Sequence, residues 1–178
     1  MREYILKNRL KLMHGKYQSD TFLGKSDRID FRVTKSSDLV NPVVPSSGLF
    51  EFTGTNIGYT GVRIGANGTP IVKKINEKGE KVVINANIDN AGGTEAYILG
   101  ASLLSDLGDL SDKYVQNFEL PSSELRFKKL KLGNGTKGYD NPKFNAESNI
   151  SLTGCKYLED FNLINCKSYT NGLNFNDC

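Results

Sequence analysis

A short phrase recurs near one end of the chain, and it limits the possible folds more than any other feature. Ile150-x-Leu152-x-x-Cys155 is followed by Phe161-x-Leu163-x-x-Cys166 and then by Leu173-x-Phe175-x-x-Cys178. The steps are eleven and twelve residues, so alternate phrases are 23 apart. A period of that length corresponds to one coil of a leucine-rich-repeat-like solenoid. Two phrases per period give the coil two long sides, each carrying an extended apolar-x-apolar segment. Side chains alternate along a strand, so both apolar members of a phrase face inward. The cysteine three residues on falls at the corner. Cys155 and Cys178 then share one column of neighbouring coils, about 5 Å apart by strand spacing, and Cys166 falls in the opposite column. Leu130-x-Leu132-x-x-Gly135 is an earlier line of the same pattern.

Composition supports a chain that turns often. Among 178 residues there are 18 Gly and no Trp, and the hydrophobic fraction is 38%. Nine asparagines fall between Leu130 and Cys178, and Asn suits tight turns and left-handed positions. A solenoid coil cannot bury its apolar face alone. A buried Leu contributes about 1.5–3 kcal/mol, while ordering costs about 1–2 kcal/mol per residue. Coils must stack, about three or more with capped ends. The phrases supply about two, which leads to the expectation that further chain or another subunit covers the last one.

Upstream the pattern is β. Ile29, Phe31 and Val33 alternate with Asp30, Arg32 and Thr34; Phe50 and Phe52 bracket Glu51; Val62 and Ile64 bracket Arg63. Gly, Asn, Ser or Pro bound each run. "IVKKINEKGEKVVINANI" reads as a β-hairpin turning at Asn76–Gly79. "AYILGASLLSDLGDLSDKYV" has Leu104, Leu107 and Leu110 three apart, which fits a short helix or a capping turn. The expected class is mainly β: a small antiparallel β domain over residues 21–95, then the entry segment and first coils of a leucine-rich-repeat-like solenoid over 96–178.

Residues 1–20 form a basic arm. Arg2, Lys7, Arg9, Lys11 and Lys16 stand against Glu3 alone within the first sixteen residues, while the whole chain carries only +3. That balance is too weak for a nucleic-acid-binding face and suits docking to an acidic protein surface. "MREYILKNRLKLMHG" lacks the apolar stretch of a secretory signal, and no run reaches the ~20 apolar residues of a membrane span. An odd number of cysteines without a C-x-x-C fits reduced thiols made in a cytoplasm.

The segment from Ala96 onward resembles a known family. "GCKYLEDFNLINCKSYTNGLNFNDC" is similar to the C-x-x-L-x-x-L-x-L-x-x-C repeats of large proteins from gut Bacteroidales and their phages, with Cys155, Leu158, Phe161, Leu163 and Cys166 on the motif positions. "YILGASLLSDLGDLS" followed by "LKLGNGTKGYDNPKF" is similar to the segment leading into such repeats in tail-type structural proteins of crAss-like bacteriophages. "GLFEFTGTN" and "VVINANI" are a fainter likeness to the β segment before it. Tyr169 and Gly172 depart from the motif, where Leu is usual. The resemblance implies a virion component of the tail or its appendages, present in several copies and acting through contacts with other virion proteins.

Motifs of catalysis are thin. His14, the single histidine, lies in the basic arm, so nucleophile systems lack an evident base. "GKS" at Gly24–Ser26 lacks the glycine of a phosphate loop five residues earlier. Asp106, Asp109 and Asp112 could offer oxygens to Ca²⁺, but capping of turns is the commoner role of such residues. No His or carboxylate stands at ligand spacing from the cysteines. The expectation is a structural interaction protein with no catalytic residues, cofactor or metal. Two other classes remain open: a surface or secreted leucine-rich-repeat binding protein, and a carbohydrate-binding β module using Tyr59, Tyr139 and Tyr157.

Overall fold

The alternation of apolar and polar residues in the upstream runs becomes a set of strands packed in two layers. The computed structural model describes residues 25–33, 48–88, 95–113, 115–133, 150–164, 173–176 and 178. Twelve strands lie within them: β1 (Arg28–Val33), β2 (Leu49–Gly54), β3 (Gly58–Ile64), β4 (Ile71–Ile75), β5 (Lys81–Asn85), β6 (Glu95–Leu99), β7 (Leu104–Asp109), β8 (Val115–Glu119), β9 (Lys129–Gly133), β10 (Ile150–Ser151), β11 (Asp160–Ile164) and β12 (Leu173–Asn174). The fold is mainly β. One sheet runs β12-β10-β8-β1-β6-β3-β4 and the other β11-β9-β7-β2-β5. Both are mixed: the pairs β1–β6, β1–β8, β3–β4, β3–β6, β2–β5 and β2–β7 are antiparallel, whereas β7–β9, β9–β11, β8–β10 and β10–β12 are parallel.

One apolar cluster fills the space between the sheets. Ile29, Phe31, Phe50, Phe52, Val62, Ile64, Ile84, Ile98, Leu104, Phe118, Phe127, Leu130, Leu132, Ile150 and Leu152 are all buried in it. Phe31 meets Phe118 with ring centroids 6.2 Å apart. The boundary expected between residues 95 and 96 runs through β6, which pairs with β1 on one side and β3 on the other. β8, from beyond that boundary, is the other neighbour of β1. The upstream and downstream strands therefore share both sheets and one core.

Two local readings of the sequence need correction. β4 and β5 are not a hairpin: β4 pairs with β3 in one sheet and β5 with β2 in the other. Asn76–Glu80 is a corner between the layers, so Ile75, Val82 and Ile84 reach the same core from opposite sides. The Glu80 carboxylate clamps the corner by accepting the Asn76 and Glu77 amides, and Gly54 ties it down through its N–H to Glu80 O (2.8 Å). The leucines three apart are not helical either. Leu104 and Leu107 lie in β7 and Leu110 follows it, and the strand carries a bulge: Asp106 faces Lys129 and Asp109 faces Lys131, three residues against two. Gly108 at φ +68° and its N–H to Asp106 Oδ1 (2.8 Å) form the irregularity. The extra residue lets both Leu104 and Leu107 point inward.

Candidate interaction site

From β7 onward, successive strands alternate between the two layers. β7, β9 and β11 stack in parallel in one sheet, and β8, β10 and β12 stack in parallel in the other. Each pair of strands makes one circuit of the core. Parallel strands need a crossover, and here the crossover is the opposite strand. The registers match the repeated phrases. Leu130 faces Phe161 and Leu132 faces Leu163; Ile150 faces Leu173 and Ser151 faces Asn174. The step from Ile150 to Leu173 is 23 residues, as is that from Asp106 to Lys129. The circuit between them is longer, with Lys129 facing Asp160.

The phrase positions behave as inward-facing residues where they are covered. Leu130, Leu132, Ile150, Leu152 and Cys155 are buried, and Leu158, Phe161 and Leu163 pack partly buried against the same core. Phe175 is 42% exposed, with its ring edge-on to Phe161 at 5.4 Å. Leu173 pairs in β12. Cys166 and the arm residues Arg2, Lys7, Arg9, Lys11 and Lys16 lie outside the described residues.

Both described cysteines sit at the corner after the phrase. The Cys155 N–H donates to Leu152 O (3.1 Å), and the Cys178 N–H to Phe175 O (3.3 Å), the same turn one circuit apart. Gly154 N–H donates across to Asn176 O (2.8 Å). The Cys178 thiol donates to Leu152 O at 2.9 Å. Burial, with the neighbouring Cys178 adding to it, pushes the Cys155 thiol up to about 11, and both thiols are free.

The outer surface of this segment carries ion pairs. Lys128 pairs with Glu159 (2.6 Å) and Lys131 with Asp109 (2.5 Å), each bridging adjacent parallel strands or the loop beside them. Exposed pairs of this kind contribute little stability. The Tyr157 hydroxyl donates to Glu124 (2.9 Å), and that bond holds the phenol above its ordinary pKa. The three aspartates are occupied separately. Asp106 takes the Gly108 amide, Asp109 takes Ser111 and Lys131, and Asp112 takes Lys113 (2.7 Å). Burial works to raise the Asp109 carboxyl, but the bonds from Lys131 and Ser111 outweigh it and hold the group low.

Tyr59 and Tyr157 are not brought together. Tyr59 is on β3, near the β4 margin of its sheet, while Tyr157 follows β10 towards the opposite margin; Tyr139 lies outside the described residues. Two features had no signal in the sequence. Lys113 is only 2% exposed, with its ammonium on Asp112 and 4.9 Å above the Phe50 ring. Tyr97 lies under the guanidinium groups of Arg28 (4.4 Å) and Arg63 (4.2 Å), neighbours only because β6 runs between β1 and β3.

The fold and this segment define a two-layer mixed-β protein with parallel strands stacked at one end. No family model, curated protein or solved structure matches the chain. No helix among the described residues is long and apolar enough to cross a membrane.

Proposed function

We propose that this protein is a structural component of a bacteriophage virion, of the tail or its appendages. In this reading residues 96–178 are the entry segment and first coils of a leucine-rich-repeat-like solenoid. The N-terminal arm anchors the chain to other virion proteins, several copies assemble together, and the work is done by protein–protein contacts without catalysis. One observation supports the reading above the others. Between β10 and β12 the repeated phrase and the parallel strand register share the same 23-residue step, which is how a coil-forming repeat should pair. The resemblance of residues 96–178 to tail-type proteins of crAss-like phages supports a tail assembly.

The test is the composition of purified virions of a phage encoding this chain. Mass spectrometry should find the protein in stoichiometric amounts with the known structural proteins, and electron microscopy should place it in the tail region. A chain abundant in infected cells and missing from the particles would overturn the proposal.

A further inference from the structure

We infer that Cys155 and Cys178 form a dithiol site that a small-molecule disulfide closes into an intramolecular disulfide, clipping β12 onto β10. The inference rests on the strand geometry and does not depend on the virion reading. The parallel register of Ile150 with Leu173 and Ser151 with Asn174 carries residue 155 opposite residue 178. Neighbouring parallel strands lie about 4.8 Å apart, within the Cα separation that a disulfide spans. The two corners are also tied to each other. Leu152 O accepts both the Cys155 N–H (3.1 Å) and the Cys178 thiol (2.9 Å), so the Cys178 sulfur hangs over the turn that carries Cys155. Gly154 N–H to Asn176 O fixes the turns side by side.

Burial sets the order of events. Cys178 is exposed and Cys155 is buried, so Cys178 reacts first. Its thiolate attacks one sulfur of the reagent RSSR, an S–S bond breaks, and RS⁻ leaves a Cys178–S–S–R mixed disulfide. The Cys155 thiol then loses its proton and attacks the Cys178 sulfur, expelling the second RS⁻. The two cysteines give up two protons and two electrons, and RSSR is reduced to two RSH. At neutral pH Cys155 holds little thiolate, since its pKa stands at about 11, so the second step is the slow one. Closure adds a covalent link where β10 and β12 otherwise share two paired positions.

The experiment uses the full chain carrying Cys166→Ser, which leaves the pair as its only thiols. The native protein is incubated with oxidised glutathione, quenched in acid, alkylated after unfolding and mapped by mass spectrometry. The expected product is two hydrogens lighter, has no alkylated cysteine, and yields one peptide linking Cys155 to Cys178. The rate of the second step should rise about tenfold per pH unit below pH 11. A second variant, Cys155→Ala, should stop at the glutathione adduct on Cys178. A lasting adduct on Cys178 beside an unreacted Cys155 in the Cys166→Ser chain would overturn the inference. If Cys166→Ser does not fold, the wild-type chain is mapped in the same way. There a link through Cys166 replacing the Cys155–Cys178 peptide would overturn it equally.

Discussion

Gly79 and Gly108 both hold a left-handed backbone, at φ +79° and +68°, yet they carry different constraints. A Cβ on Gly79 would meet nothing within 4 Å, while one on Gly108 would lie 2.4 Å from Glu51 O. Gly79→Ala should therefore cost only the backbone term, about 1 kcal/mol. Gly108→Ala adds a clash with a strand backbone and should cost about 3 kcal/mol. Urea unfolding of the two variants checks the ranking, and equal costs would mean that the bulge in β7 can relax. Glu80 gives a pH signature at the neighbouring corner. The Asn76 and Glu77 amides hold its carboxyl below the ordinary value of 4.5. A folded-state pKa below the unfolded one adds stability that is fully present above pH 4.5 and fades as pH falls through the folded value. The stability difference between wild type and Glu80→Gln should accordingly shrink on acidification below pH 4.5. A difference that stays constant down to the acid transition would show that the clamp is not electrostatic.

Strands reward or punish sequence reading according to how local their partners are. Ile29, Phe31 and Val33, Phe50 and Phe52, and Val62 and Ile64 face the core as their alternation requires. The apolar pairs at 130, 132, 150 and 152 do the same. Alternation says which face is buried and nothing about which strand lies alongside. "IVKKINEKGEKVVIN" has the local pattern of a hairpin, and only the Gly54 contacts and the pull of one core from both sides make its turn a corner between sheets. Leu104, Leu107 and Leu110 misled through a bulge, whose cause is a glycine and an aspartate the spacing treats as ordinary residues. The stacked corners were legible because a repeated phrase carries its own register; the Arg28–Tyr97–Arg63 stack was not, because strand order alone creates it. The phrase also hides a difference in energy. Leu152 is fully buried, whereas Phe175, its equivalent one circuit on, is 42% exposed. Leu152→Ala should cost about 2–5 kcal/mol, and Phe175→Ala about 1 kcal/mol from its contact with Phe161. Comparable losses in urea unfolding would indicate that β12 is as deeply packed as β10.

At the scale of the molecule, the shared core makes the expected two-domain division a testable matter. If residues 21–95 were an independent domain, the fragment 1–95 would fold. The topology denies it the partners it needs. β1 loses β6 on one side and β8 on the other, and β2 loses β7. What remains is β3 with β4 and β2 with β5, two isolated pairs, and isolated two-stranded pairs are marginal in water. Phe31 would lose Phe118, and the core that holds Phe50 and Phe52 would lose Leu104 and Leu107 of β7. Burial of each such side chain is worth about 1.5–3 kcal/mol, and a domain's net stability is only about 5–15 kcal/mol, so the fragment falls below the threshold. The arm belongs to a different level of organisation. In the proposed function it docks to neighbours, so deleting residues 1–16 should lower incorporation into particles while leaving the thermal midpoint nearly unchanged. The fragment 1–95 should instead give a broad, non-cooperative denaturation curve and poorly dispersed amide resonances, against one cooperative transition for the full chain. A sigmoidal transition in 1–95, with amides of β1 protected from exchange, would mean that the upstream strands have a core of their own and that the downstream strands merely dock on it.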